Sequence, residues 1–269
     1  MKAVILAAGK GERLSEITKN IPKPMIEFKG KPLLEHNIEL CKKFGIEDIY
    51  INLHHLPGMI KDYFGNGEKF GVKIQYSFEE ELLGTAGAVK RIAEEYWKMN
   101  RGEEENGRGG ESERGGKGGA RKLGREEDGK FGSLGGDNFF FVLYGDNYSN
   151  YDLNLLIDKQ KKTGAPCVIA FHYREDISHS GVAEFDDEMR IMRFIEKPGS
   201  GETESHWVNA GIYLMNYSVI NYINKKIYDF GKDVFPKMLN DRVNIYGVCM
   251  DTDVKAFDTP EMYRKVFHR

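Results

Sequence analysis

The first half of the chain alternates apolar runs with segments of helical periodicity. Residues 3–6 are apolar without interruption, which is typical of a strand buried on both faces of a parallel sheet. Further strands are predicted at 49–53, 72–76 and 139–143. Helices are predicted between them at 32–44, 57–64 and 86–97. This alternation predicts an α/β fold whose parallel sheet is covered by helices on both faces.

The pattern changes after Gly145, where shorter strands follow one another. A helix is predicted at 153–162, and strands are predicted at 166–171, 182–185, 190–195 and 207–215. Short paired strands indicate that the central sheet is mixed, although mostly parallel. The hydrophobic content of 40% is enough for one substantial core. We therefore expect a single domain over residues 1–269, in which the second half packs against the first.

One segment, 100–137, interrupts this order. It holds 13 of the 31 glycines, together with nine acidic and eight basic residues and almost no large apolar side chains. Such a composition cannot bury enough apolar surface to offset the entropy of ordering, so we expect a disordered surface insertion. A partner tether or a polyanion-binding arm is the alternative, and the near balance of charge disfavours the arm.

Composition argues against several classes of protein. The formal net charge of −3 provides no basic stripe for a phosphate polymer, so nucleic acid is not an expected partner. The three cysteines, Cys41, Cys167 and Cys249, are far apart, and neither a disulfide framework nor a zinc site is predicted. No apolar stretch approaches the roughly 18 residues of a membrane span. We expect a cytoplasmic protein that does not associate with a membrane.

A glycine-rich loop follows the first strand, at the sheet edge where ligands of α/β folds bind. Gly9 and Gly11 allow the backbone to approach phosphate oxygens, with amide N–H groups pointing inward. A Rossmann dinucleotide motif would need a third glycine where Leu14 stands, and a Walker A loop would need Gly-Lys-Ser/Thr. The loop therefore predicts a phosphate site of another kind.

Two cations follow closely in sequence. Arg13 can hold two phosphate oxygens with its planar guanidinium, and Lys23 offers a point charge on a backbone stiffened by Pro22 and Pro24. The loop looks polar, and we expect Lys23 to be an exposed cation. Either cation alone is typical of a solvated surface, but together they could neutralise a triphosphate.

At this point the motifs resemble those of the sugar-phosphate nucleotidyltransferases. The resemblance covers nearly the whole chain except 100–137, and it is strongest to mannose-1-phosphate guanylyltransferase-like members. It implies a Rossmann-like, GT-A-like fold. The matching segments occur in the family's order at 6–14, 22–25, 83–88, 145–146, 194–198 and 208–213.

The resemblance also implies roles for individual residues. Those that would bind the nucleotide are Leu6, Ala7, Ala8, Gly9, Gly11, Arg13, Lys23 and Gly84. Those that would bind the sugar phosphate are Gly181, Glu196, Lys197 and Asn209. Those that would take part directly in catalysis are Arg13, Lys23 and Asp146. Asp146 would also bind Mg²⁺, which prefers hard carboxylate oxygens.

The sequence departs from the family's pattern near its end. Where the family commonly has Asp-x-Gly-Thr-Pro-Glu, this chain has Ala256 at the place of the aspartate and Asp258 at the place of the glycine. Either Asp258 supplies the second metal ligand from a shifted backbone, or the metal site is weakened. We expect Asp258 to be the ligand.

The resemblance implies transfer of a nucleotidyl group from a nucleoside triphosphate to a sugar 1-phosphate, with release of pyrophosphate. GTP with mannose 1-phosphate is the expected pair. The alternatives are uridylyl, thymidylyl or cytidylyl transfer to glucose 1-phosphate, a catalytically idle regulatory protein that binds nucleotide sugars, and, ranked last, a glycosyltransferase. The resemblance leaves assembly into a homo-oligomer open.

Overall fold

The computed structural model describes residues 1–97, 138–250, 254–257 and 260–267. The predicted disordered insertion at 100–137 lies outside these residues, as does Asp258. Within them, no helix is both long enough and apolar enough to cross a membrane.

Strands and helices alternate through the first half of the described chain. The strands are β1 (Lys2–Leu6), β2 (Glu27–Phe28), β3 (Lys31–Pro32), β4 (Asp48–Leu53), β5 (Lys73–Phe78), β6 (Phe139–Tyr144), β7 (Asn147–Tyr148), β8 (Cys167–Tyr173), β9 (Gly181–Phe185), β10 (Ile191–Glu196), β11 (Trp207–Asn216), β12 (Ile245–Met250) and β13 (Lys255–Ala256). The α-helices are α1 (Ser15–Thr18), α2 (Leu33–Lys43), α3 (Pro57–Phe64), α4 (Gly84–Tyr96), α5 (Asn154–Thr163), α6 (Phe235–Asn240) and α7 (Pro260–Phe267).

A nine-stranded sheet is the framework of the described chain. Strands β5, β4, β1 and β6 are neighbours in that order, and each pair is parallel. Strand β11 runs antiparallel to β6, β8 and β9, and β12 is parallel to β8. Strand β10 is antiparallel to β9. Every strand of this sheet except β10 and β11 therefore runs in one direction, which confirms the prediction of a mixed, mostly parallel sheet.

The sheet divides the core into two layers because successive side chains of a strand point to opposite faces. In β1, Ala3 and Ile5 contact the layer that contains α2, α3 and α5, whereas Val4 contacts the layer of α4 and α6. Residues 3–5 are completely buried, as an apolar run in a parallel sheet requires.

The N-terminus of α4 lies against a backbone segment from the second half of the chain. The amide groups of Ala86 and Gly87 donate to the Tyr228 carbonyl at 3.0 and 3.1 Å. A Cβ added at Gly87 would lie 2.4 Å from the Lys226 carbonyl oxygen. Glycine therefore allows two backbone segments to pack at a distance that any side chain would prevent.

Gly87→Ala should destabilise the protein. Alanine favours a helix interior over glycine by about 1 kcal/mol, but the clash with rigid backbone should cost about 1–3 kcal/mol. Urea denaturation measures the difference. Gly58→Ala in α3 is the matched control, because the atom nearest to the added Cβ, Asp62 Oδ2, would lie 4.0 Å away. Equal stabilities of the two variants would contradict the packing argument.

Candidate active site

A cleft opens at the carboxyl ends of β1 and β6. It consists of a larger cavity of ≈ 510 Å³ and a smaller one of ≈ 260 Å³. The two cavities adjoin, because both are lined by Gly9, Lys23, Leu82, Thr85, Tyr144, Asp146 and Asp229. Ligands of α/β sheets bind at this edge of the strands.

The glycine-rich loop has the conformation that its glycines permit. Gly11 has a φ of 64°, in the left-handed region that favours glycine. A Cβ at this position would lie 2.8 Å from Cγ2 of Thr18, whose hydroxyl lies 2.9 Å from the Gly11 carbonyl oxygen. The buried Thr18 therefore packs against one side of the loop, and the loop also lines the larger cavity.

A buried polar network holds the walls of the smaller cavity. The Ala7 amide donates to Asn52 Oδ1 at 2.7 Å, and Asn52 Nδ2 donates to Glu79 Oε1 at 2.8 Å. The Leu83 amide donates to Glu79 Oε2 at 3.0 Å, and Glu79 is only 1% exposed. Sequence reasoning missed Asn52 and Glu79. The signal was a polar residue inside an otherwise apolar strand, since a buried amide needs hydrogen-bond partners.

Lys23 and Asp146 form an ion pair where the two cavities meet. Lys23 Nζ lies 2.5 Å from Asp146 Oδ2. Lys23 lies in a short 3₁₀ turn after Pro22 and is only 6% exposed. The expectation that Lys23 is an exposed loop cation is therefore wrong. A carboxylate from the end of β6 offsets the cost of burying the ammonium group, and the spacing of residues along the chain does not reveal such a partner.

The residues predicted to bind nucleotide line one or both of the two cavities. Those around the smaller cavity are Leu6, Ala7, Ala8, Gly9, Lys23 and Gly84. Gly11 and Arg13 line the larger cavity, and Arg13 is exposed. Gly84, with a φ of 74°, also allows close packing, because a Cβ there would lie 2.5 Å from the Tyr228 carbonyl oxygen. Their roles in binding remain predictions.

Glu196 lies on the opposite side of the larger cavity, between two glycines. A Cβ added at Gly181 or Gly231 would lie 2.8 or 2.6 Å from Glu196 Oε2. Burial raises the pKa of the Glu196 carboxyl, and the charge of Asp229 raises this pKa further, whereas Lys197 lowers it. The carboxylate is thus partly desolvated beside the cavity and ready to accept hydrogen bonds.

Asn209 also lines the larger cavity. Its Nδ2 donates to the Tyr213 hydroxyl at 2.7 Å, and its Oδ1 accepts from the Gly211 amide at 2.9 Å. Lys197, in contrast, is exposed, has a φ of 56° and lines neither cavity. The structure therefore brings Gly181, Glu196 and Asn209 together around one space, whereas Lys197 is not part of its lining and acts there through its charge on Glu196.

Asp229 lines both cavities, and sequence reasoning missed it. Thr85 donates its hydroxyl proton to Asp229 Oδ2 at 2.9 Å. Asp229 Oδ1 accepts from the Gly231 amide at 3.0 Å at the start of the π-helical turn Phe230–Val234. An aspartate is a common cap at the start of a helical turn. The pairing of Asp229 with Thr85, in contrast, exists only in the folded chain.

The larger cavity is also lined by His172, Arg174 and His179, which sequence reasoning missed. His172 is 6% exposed. Burial lowers the pKa of His172 to about 4, and the charge of Arg174 contributes in the same direction. The imidazole is therefore neutral at pH 7.

Comparisons with known proteins show which family this chain resembles. The sequence profile of a family described as "Nucleotidyl transferase" matches residues 2–101 and 115–254. A Synechocystis sp. protein named UTP–glucose-1-phosphate uridylyltransferase is 36% identical over an alignment of 263 positions, and the match covers 93% of this chain and 58% of that protein. An Aspergillus oryzae mannose-1-phosphate guanyltransferase is 31% identical over an alignment of 261 positions, and the match covers 96% of this chain and 58% of that protein. This chain thus spans less than two thirds of either relative.

The fold also has a counterpart among solved structures. The crystal structure of HddC from Yersinia pseudotuberculosis complexed with GMP-PN has a TM-score of 0.71 and 21% identity to this chain. It covers 99% of this chain, and the match covers 98% of that protein. At this identity the likeness concerns the fold. On the extent of the profile match and the identity to its relatives, this chain belongs to the nucleotidyl transferase family.

Proposed function

We propose that this protein joins a nucleoside triphosphate to a sugar 1-phosphate and releases pyrophosphate. The observation that carries the proposal is the position of the Lys23–Asp146 pair, where an apolar cavity meets a polar one. A reaction that unites two phosphorylated substrates needs two adjoining pockets with cations and a carboxylate between them.

The smaller cavity suits the base of the nucleotide. Its apolar wall consists of Leu6, Ala7, Ala8, Pro24 and Leu82. Asn52 and Glu79 add polar atoms to this wall, and these atoms could select a base edge. From this cavity the phosphates would extend past Gly9 towards Arg13 and Lys23, whose positive charges offset theirs.

Residues of the larger cavity suit the sugar phosphate. Glu196 would accept hydrogen bonds from sugar hydroxyls, Asn209 would contact ring substituents, and Gly181 would bring the backbone close to the ring. A sugar phosphate oxygen attacks the α-phosphorus, the new P–O bond forms, and the bond to the bridging oxygen of pyrophosphate breaks. The nucleophile is already anionic, so the protein positions the groups and stabilises charge rather than removing a proton.

Mg²⁺ fits the chemistry of this site. The ion commonly binds through one or two carboxylates together with substrate phosphates, and Asp146 is a 29% exposed carboxylate that lines both cavities. When bound, Mg²⁺ would neutralise charge on the phosphates. No cluster of three or more metal-ligating side chains occurs in the described ranges, so substrate oxygens would complete the coordination. Asp258 as a second ligand remains a prediction.

Two substrate pairs are favoured by relatives of this chain, GTP with mannose 1-phosphate and UTP with glucose 1-phosphate. We propose the former pair first, because the motif at 83–87 is most similar to guanylyltransferases. The thymidylyl and cytidylyl alternatives belong in the same panel. Cytoplasmic location and homo-oligomeric assembly remain predictions from the sequence.

The test is a matrix of nucleoside triphosphates and sugar 1-phosphates with Mg²⁺, in which released pyrophosphate is measured. We expect turnover with at least one pair. Asp146→Asn should lower kcat by about 100-fold or more, because it removes a charge at the reacting centre. Asp158→Asn, on the exposed face of α5, is the matched control and should leave the rate unchanged. Absence of pyrophosphate above background across the matrix would refute the proposal.

Glu196→Gln should separate stability from activity. Because the pKa of Glu196 is raised in the folded protein, its ionised form costs stability above that pKa, and the cost disappears as the pH falls towards 4.5. The variant should therefore be at least as stable as the wild type at pH 7, with no advantage below pH 4.5. Its KM for the sugar phosphate should rise.

Urea denaturation at several pH values and initial-rate kinetics measure the two effects of Glu196→Gln. Glu188→Gln is the matched control, because Glu188 is exposed and lines neither cavity. A Glu196→Gln protein that is less stable than the wild type at pH 7 would show that the carboxylate serves the fold rather than the substrate.

A further inference from the structure

The larger cavity has cations on two sides. Lys10, Arg13 and Lys23 come from the glycine-rich loop and the segment after it. Arg174, which follows β8, lines the same cavity from the second half of the chain. Among residues 138–250, it is the one lysine or arginine in that lining. The cavity therefore has a cation next to Ser180 and Gly181, in a part of the chain distant in sequence from the glycine-rich loop.

Arg174 is held in place by its backbone. Its amide donates to the His206 carbonyl at 3.0 Å, and His206 Nδ1 lies 3.0 Å from the Arg174 carbonyl oxygen. The ring of His206 stacks on that of Tyr173, with centroids 5.4 Å apart. The strand end that carries the guanidinium is thus fixed before any ligand binds, which lowers the entropic cost of binding.

The guanidinium lies beside the expected sugar site. Arg174 Nη1 donates to Ser180 Oγ at 3.3 Å, and Ser180 immediately precedes Gly181. This bond uses one of the five N–H donors of a guanidinium, and the planar fork matches two oxygens of a phosphate. His172, the neighbour that lines the same end of the cavity, is neutral at pH 7 and does not compete for an anion.

The proposed reaction would be favoured by a cation next to the sugar phosphate. A triphosphate and a sugar phosphate, both anionic, must approach to bonding distance, and Lys23 already pairs with Asp146. Lys197, which the sequence predicted for the sugar phosphate, is exposed and lines neither cavity. Arg174, in contrast, is half-buried in the lining.

We propose that Arg174 binds the phosphate of the sugar 1-phosphate and holds the attacking oxygen towards the nucleotide. The proposal rests on the proposed function, because it assigns a residue to the second substrate of that reaction. It makes Arg174 a determinant of affinity for the phosphate group and gives it no part in binding the nucleoside triphosphate.

The test compares Arg174→Gln, Arg174→Lys and Arg91→Gln with the wild type, using the substrate pair that the matrix identifies. Arg174→Gln should raise the KM for the sugar phosphate by about 10- to 100-fold, the range that loss of a charge-assisted hydrogen bond produces. The KM for the nucleotide should not change. The KM of Arg174→Lys for the sugar phosphate should lie between those of the wild type and Arg174→Gln, because lysine keeps the positive charge but lacks the planar guanidinium. Arg91→Gln, exposed on α4, should match the wild type.

A second measurement separates the phosphate from the sugar hydroxyls. Calorimetric affinities are compared for the sugar 1-phosphate and for the same sugar without phosphate. Arg174→Gln should lose affinity for the phosphorylated form and little for the free sugar. An equal loss for both would overturn the assignment to the phosphate, and an equal rise in both KM values would show a structural role instead.

The outcomes also distinguish the two proposals. If the wild type releases pyrophosphate and Arg174→Gln keeps the wild-type KM for the sugar phosphate, the assignment of Arg174 is wrong while the proposed function stands. If the wild type releases no pyrophosphate with any pair, the proposed function fails, and the role of Arg174 fails with it.

Discussion

The ion pair between Lys23 and Asp146 is the interaction on which the candidate active site depends. It joins the segment that follows β1 to the end of β6, two strands that are neighbours in the parallel core. A buried ammonium group is stable only with a partner, so each charge fixes the place of the other. The pair therefore sets a cation and a carboxylate where the apolar and polar cavities meet, which is where the proposed nucleotidyl transfer would need both.

Close contact of backbone segments is the second constraint, and glycines make it possible. Gly84 and Gly87 bring α4 against residues 226–228, and Asp229 follows directly. Gly181 and Gly231 enclose the Glu196 carboxylate from two sides. These contacts come from the two halves of the chain. The cleft consequently has its shape only when both halves are packed on the one sheet.

The site contains charged side chains that are partly removed from water, which costs free energy of solvation. The raised pKa of Glu196 reflects burial and the nearby Asp229, and Lys23 is removed from water at the same cleft. Such groups lower stability unless they are paired, yet they strengthen electrostatic interactions with a substrate that displaces water. The proposed roles of Glu196 and Arg174 follow from this arrangement, because the protein would position two anionic substrates that already carry the reacting groups.

The sequence alone determined the features that depend on neighbouring residues. The apolar run of β1 predicted a buried strand, the glycines after it predicted a phosphate loop, and Asp146 was found at the end of another apolar run, because strand periodicity and turn chemistry are local. Tertiary structure alone decided which distant groups meet. Three features depend on strand order and on packing between segments far apart in the chain. They are the burial of Lys23, the Asn52–Glu79 network, and the presence of Arg174 rather than Lys197 in the cavity lining. No local sequence pattern encodes the distances between such segments.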